Sequence, residues 1–132
     1  MTRVGGLPDP AEFETSPVYK ATLELTSFIY SLEDRFPVDE IPVIYRGLTA
    51  AAAALGACIA EGIGRDGVDA GGGLSERTRC EARGKLNELK HYFALAASRY
   101  LVDEGQSLTF TEITGKVRSM LSSQVERSEA GG

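Results

Sequence analysis

The chain has 132 residues, 42% of them hydrophobic and 25% charged, which fits one globular domain and excludes wholesale disorder. The 14 basic and 19 acidic side chains leave a net charge of −5, which argues against a whole-surface grip on nucleic acid or an anionic membrane. Two cysteines, Cys58 and Cys80, make no disulfide framework, and the N-terminus lacks an apolar run of signal-peptide length, so a reducing cytoplasm is expected.

Residues 1–16 carry Gly5, Gly6, Pro8 and Pro10 without a hydrophobic period and read as a flexible tail. Ser16-Pro17 then supplies a helix cap followed by proline at the first helical position. Ala21, Leu25, Phe28, Ile29 and Leu32 recur on one face of an amphipathic helix that ends before Pro37. Asp39 and Pro42 open a second helix. Its alanine-rich run over residues 48–60 lacks the strongly apolar character that a span of about 20 residues needs. Arg46 and Glu61 bracket that run, so it predicts a buried helix approached closely by its neighbours.

Gly62, Gly64 and Gly67 are expected to stop this helix, and Gly71-Gly72-Gly73 to keep the following loop flexible. Ser75 caps a third helix over residues 76–102, with Ala82, Leu86, Leu89, Phe93, Ala96, Ala97 and Tyr100 on one side. Asp103-Glu104-Gly105-Gln106 reads as a turn. Thr109-Phe110-Thr111-Glu112 has the form of a capping box, with Leu108 and Ile113 as its hydrophobic staple. A fourth helix carries Ile113, Val117, Met120, Leu121 and Val125 and frays into a flexible tail over residues 128–132. No segment alternates with period two for the length of a strand. Residues 17–127 therefore predict an all-α, antiparallel up-down-up-down four-helix bundle.

Catalytic motifs are thin. Gly62, Gly64 and Gly67 match G-x-G-x-x-G, but a dinucleotide site needs that pattern between a strand and a helix, and here it follows a helix. Glu88 and His91 have the E-x-x-H spacing of di-metal bundles, yet that site needs a second such pair and the chain has one histidine. A phosphorelay histidine would have small neighbours, whereas Tyr92 and Phe93 follow His91. Cys58 lies in an apolar helix as an inert thiol, and Cys80, between Arg79 and Arg83, has no base beside it. No catalytic set, metal or cofactor is expected.

Residues 76–102 hold six basic side chains against three acidic ones. Arg79, Arg83 and Lys90 fall within an arc of about 40° on that helix. With Arg65 they form a candidate contact for RNA, DNA or an acidic partner, set against the plainer reading of a solvated flank paired with neighbouring carboxylates. Gly84, Glu88, His91 and Leu95 share the face roughly opposite the apolar stripe. A glycine there would cost about 1 kcal/mol against alanine unless another helix packs on it, so this face is a candidate subunit contact.

Phe36-Pro37, the alanine-rich helix ending Ile59-Ala60-Glu61-Gly62-Ile63-Gly64-Arg65, and Ala82-Arg83-Gly84-Lys85-Leu86-Asn87-Glu88-Leu89 carry a resemblance. With Phe110-Thr111-Glu112-Ile113 and Met120-Leu121, the chain resembles the four-helix bundle family of 23S ribosomal RNA intervening-sequence proteins over about residues 17–125. That family includes Avd-like accessory proteins of diversity-generating retroelements. The resemblance implies a non-enzymatic bundle that forms a ring, with homopentamers in the family; Avd-like members hold a reverse transcriptase and its RNA through basic surfaces. The chain departs from the family where a basic pair is replaced by Thr49 and Ala50, and where Pro-x-Asn is replaced by Gly56-Ala57-Cys58. Both departures weigh against nucleic-acid binding. Glu61, Gly62, Gly64 and Arg65 read as a structural motif. Near a helix C-terminus Glu61 needs a cation, and Arg65 and Arg83 are the candidates.

Overall fold

The computed structural model describes residues 12–131, with side chains over residues 13–122. The expected tail therefore lies outside the described residues up to residue 11. Glu12–Thr15 already forms a helical turn, and Phe13 sets its ring edge-on to Tyr19 at 4.8 Å. The described chain is helical: α1 spans Pro17–Tyr30, α2 Arg46–Asp66, α3 Glu76–Ser98 and α4 Glu104–Gly131. The C-terminal tail expected over residues 128–132 continues α4 to Gly131, and residue 132 lies outside the described residues.

The cap of α1 is as expected: Ser16 Oγ accepts the Tyr19 amide at 3.3 Å, and Pro17 opens the helix. Val18, Ala21, Leu25 and Ile29 are buried, while Phe28 packs at the edge of the core. The second helix starts later than expected. Short turns occupy Glu33–Arg35 and Val38–Glu40, a wide turn follows over Ile41–Tyr45, and α2 begins at Arg46. The segment Val38–Asp66 is long and apolar enough to cross a membrane, with mean hydropathy 1.6. Its large apolar side chains Leu48, Leu55, Ile59 and Ile63 are spent on the core, as in a central bundle helix.

Helix α2 ends at the last of the three glycines expected to stop it. It runs through Gly62 and Gly64, and the stop is Gly67, whose φ of +71° leaves the helix as its amide closes on Ile63 O. Gly62 instead admits a neighbour, because a Cβ there would collide with the Thr78 side chain of α3. Gly47 is likewise covered by the Tyr92 ring, and at Gly56 a Cβ would lie 3.3 Å from Thr22 Oγ1 of α1. Small residues on α2 thus let both neighbours approach.

The loop of three glycines is a hydrogen-bonded turn. Asp69 Oδ1 accepts the Gly71 and Gly73 amides at 2.9 and 2.6 Å, and a single antiparallel bridge joins Val68 to Leu74. Among the described residues there is no strand. Ser75 caps α3 by accepting the Thr78 amide at 3.1 Å. The helix ends at Ser98 and not near Val102, because Tyr100, at φ +59°, turns the chain while the Tyr100 and Leu101 amides close on Ala97 and Ala96.

The expected capping box at Thr109–Glu112 does not form. Asp103 Oδ1 accepts the Gln106 amide at 2.8 Å and Gln106 Oε1 accepts the Asp103 amide at 2.9 Å, so the reciprocal cap lies six residues earlier. Thr109 instead donates back to Gly105 O, and Leu108 is 60% exposed and staples nothing. Helix α2 packs on α1 and α3, and α4 packs on α1 and α3, closing a four-helix bundle. Phe93 near the end of α3 and Phe110 near the start of α4 stack between these helices, 3.8 Å apart and parallel within 1°.

Two glycines on one helix should respond oppositely. Gly62→Ala is expected to lose about 1–3 kcal/mol in denaturant unfolding, because the new methyl collides with Thr78. Gly64→Ala, where nothing lies within 4 Å, is expected to gain up to about 1 kcal/mol. Equal effects at both positions would contradict the close approach.

Candidate functional site

Helix α3 presents three sides. Ala82, Leu86, Leu89, Phe93 and Ala96 face the core and are buried. The flank was expected to carry an exposed basic stripe of Arg79, Arg83 and Lys90. The structure separates them. Arg79 is only 9% exposed, and its Nη1 donates to Leu74 O of the preceding loop at 2.5 Å. A long side chain in the first turns of a helix can fold back over the preceding loop, which a wheel of Cα directions does not show. Arg83 stays exposed and points Nη2 at Cys80 Sγ, 3.3 Å away, while Lys90 is half-buried.

Arg65, the fourth expected cation, is held in a carboxylate network. Its Nε and Nη2 donate to Asp66 Oδ1 and Oδ2 at 3.0 and 2.9 Å, and Glu81 lies 3.6 Å away across on α3. Glu61 reaches Arg65 at 3.9 Å, so the cation expected for Glu61 is Arg65, with Arg83 engaged elsewhere. Asp66 Oδ2 also accepts the Ser75 hydroxyl at 2.8 Å. The end of α2 is thereby tied to the start of α3. The Arg65 hydrogen bonds, then the Ser75 hydroxyl, lower the Asp66 carboxyl to about 2, and Asp66 in turn raises the Arg65 guanidinium. Burial raises the Cys58 thiol, with Glu81 adding to the effect.

The third side of α3 is the candidate subunit contact. Gly84, Glu88 and His91 are all exposed, and a Cβ at Gly84 would meet nothing within 4 Å. Glu88 lies 4.0 Å from Lys85, and His91 meets the Tyr92 ring edge-on at 5.4 Å. Leu95 departs from the expectation. It is half-buried and packs against the core, so Leu95→Arg would load the fold as well as any interface.

Sequence reasoning missed an exposed side on α4. Leu108 is 60% exposed, and Gly115, seven residues on and so on the same face, has open space where its Cβ would be. The mid-helix glycine was the available signal, masked by assigning Leu108 to a staple. Among the described residues no three His, Cys, Asp or Glu side chains gather as a metal site. No family model matches the chain, and no curated protein matches it.

The Arg65–Asp66 pair has a pH signature. Asp66 titrates below the ordinary aspartate value of 3.8, so the unfolded chain takes up its proton first as pH falls. The pair therefore stabilises the fold above about pH 4 and loses that effect as pH falls toward about 2. Asp66→Asn is expected to flatten the acid limb of Tm against pH over that window; an unchanged limb would contradict the network.

Proposed function

We propose that the chain is a non-enzymatic, homo-oligomeric scaffold: an antiparallel up-down-up-down bundle that assembles into a ring through the outer side of α3. On the resemblance to the 23S ribosomal RNA intervening-sequence proteins, the ring is a pentamer and the setting is cytoplasmic. The antiparallel order is supported by contacts between the two connections. Arg35 donates to Leu101 O at 3.5 Å and lies 3.9 Å from Asp103, and Arg99 pairs with Glu40.

The observation that carries the reading is Gly84. Gly47 and Gly62 each have an internal reason, since a neighbouring side chain occupies the space of their Cβ. Gly84 has none, a trait it shares with Gly64 near the end of α2 and Gly115 of α4, yet it lies well inside a 23-residue helix on the side away from the core. There it costs about 1 kcal/mol against alanine, a cost that a second helix seated closely on it would offset.

Static light scattering on the full chain is expected to give several times 14.1 kDa. Gly84→Arg should reduce that mass to the single chain while the helical circular dichroism is retained. A wild-type mass of 14.1 kDa at micromolar concentration would overturn the reading. The alternative is an accessory protein that holds RNA or DNA beside a reverse transcriptase, and it retains only Arg83 and Lys90 of the expected stripe. Filter retention of RNA that falls steeply with salt would favour it.

A further inference from the structure

The turn between α2 and α3 borders an open depression of about 490 Å³, within the size range of small-molecule sites. Its lining includes Leu74, which is 2% exposed, the backbone around Val68, and the first turn of α3. The shape is fixed from within. Asp69 gathers the Gly71 and Gly73 amides, Gly67 and Gly72 take φ of +71° and +83°, and Ser75 is tied to Asp66.

Two kinds of charge line this pocket. Arg79 is nine-tenths buried, and one donor of its guanidinium holds Leu74 O. Its Nε is fully buried and has no hydrogen-bond partner. That atom is sealed from the pocket, so a ligand would meet only the end of the fork, the Nη donors that the Leu74 carbonyl leaves uncommitted. Such a fork matches a carboxylate or phosphate, and the positive end of α3 adds to the preference for an anion. At the rim, by contrast, stand the exposed carboxylate of Glu76 and that of Asp69, whose Oδ1 already holds two loop amides, while Asp66 is committed to Arg65 and Ser75.

A simple anion would meet the rim carboxylates, and a simple cation would leave Arg79 unsatisfied. A ligand bearing both charges a few bonds apart meets both demands. We propose that this pocket binds the α-amino-acid group of a small zwitterion, its carboxylate on Arg79 and its ammonium at the rim beside Glu76 and Asp69. The loop then acts as a preformed receptor, and the structural bond from Arg79 to Leu74 O positions the guanidinium for it.

Amide chemical shifts of the full chain, titrated with glycine and with L-leucine, test this. Saturable shifts centred on residues 66–79 are expected, with Kd below about 10 mM. Glycinamide lacks the carboxylate and N-acetylglycine lacks the ammonium, and each is expected to bind at least about tenfold more weakly than glycine. Arg79→Gln should abolish the shifts, and Glu76→Gln should weaken binding while leaving the loop intact. The comparison of ligands needs no variant to fold. Absence of saturable shifts with both amino acids, or glycinamide binding as well as glycine, would overturn the proposal.

Discussion

The close approach of α2 and α3 is the constraint on which the rest of the bundle depends. It is set at two points, where Gly47 lies under the Tyr92 ring and Gly62 under Thr78. These glycines are separated by about four helical turns. Between them Leu48, Leu55 and Ile59 fill the interior, while alanines keep the helix narrow. A methyl group at Gly62 would push against the buried Thr78 and the helix that carries it, whereas at Gly47 it would first displace the Tyr92 ring. Because α3 gives one side to this contact and its core stripe to α4 as well, its remaining side is left with Gly84, Glu88 and His91.

The same approach organises the end of the α2–α3 pair. Thr78, seated against Gly62, lies 2.9 Å from the Ser75 hydroxyl and 3.4 Å from Arg65 Nη2. Steric fit and hydrogen bonding are therefore one arrangement. Ser75 caps α3 and anchors to Asp66, Asp66 binds Arg65, and Arg65 reaches Glu81 one turn along α3. Exposed ion pairs contribute little each, but here they join groups that a cap and a glycine contact already hold in place. The rigid turn that results shapes the pocket beside Arg79.

Much of the fold was legible from local chemistry. Ser16-Pro17 and Ser75 are strong helix openings with few competing readings, and both cap their helices as expected. The apolar period of α3 identified its buried side because the helix is long and regular. What failed depended on information from elsewhere in the chain. Gly62 and Gly64 looked like a helix stop because a glycine that admits a neighbouring helix and one that ends a helix are the same letter. Asp103 and Gln106, read as a turn, form the reciprocal cap that starts the helix six residues before the expected box. Arg79 looked exposed because its helical direction says nothing about where its long side chain bends. On the candidate contact, Gly84, Glu88 and His91 stand where their spacing put them, whereas Leu95 tilts into the core at the edge of the stripe.

The central claim is that α3 serves two helical contacts, one within its own bundle and one with another copy. Pulsed electron–electron spin resonance tests this most directly, with one label per chain on Asn87→Cys, an exposed position flanking Gly84, in a Cys58→Ala, Cys80→Ser background. Since each chain carries a single label, any resolved distance must arise between copies. The account predicts discrete intermolecular distances, two for a ring of five, that disappear on dilution with unlabelled chain. A featureless decay at every protein concentration would contradict it.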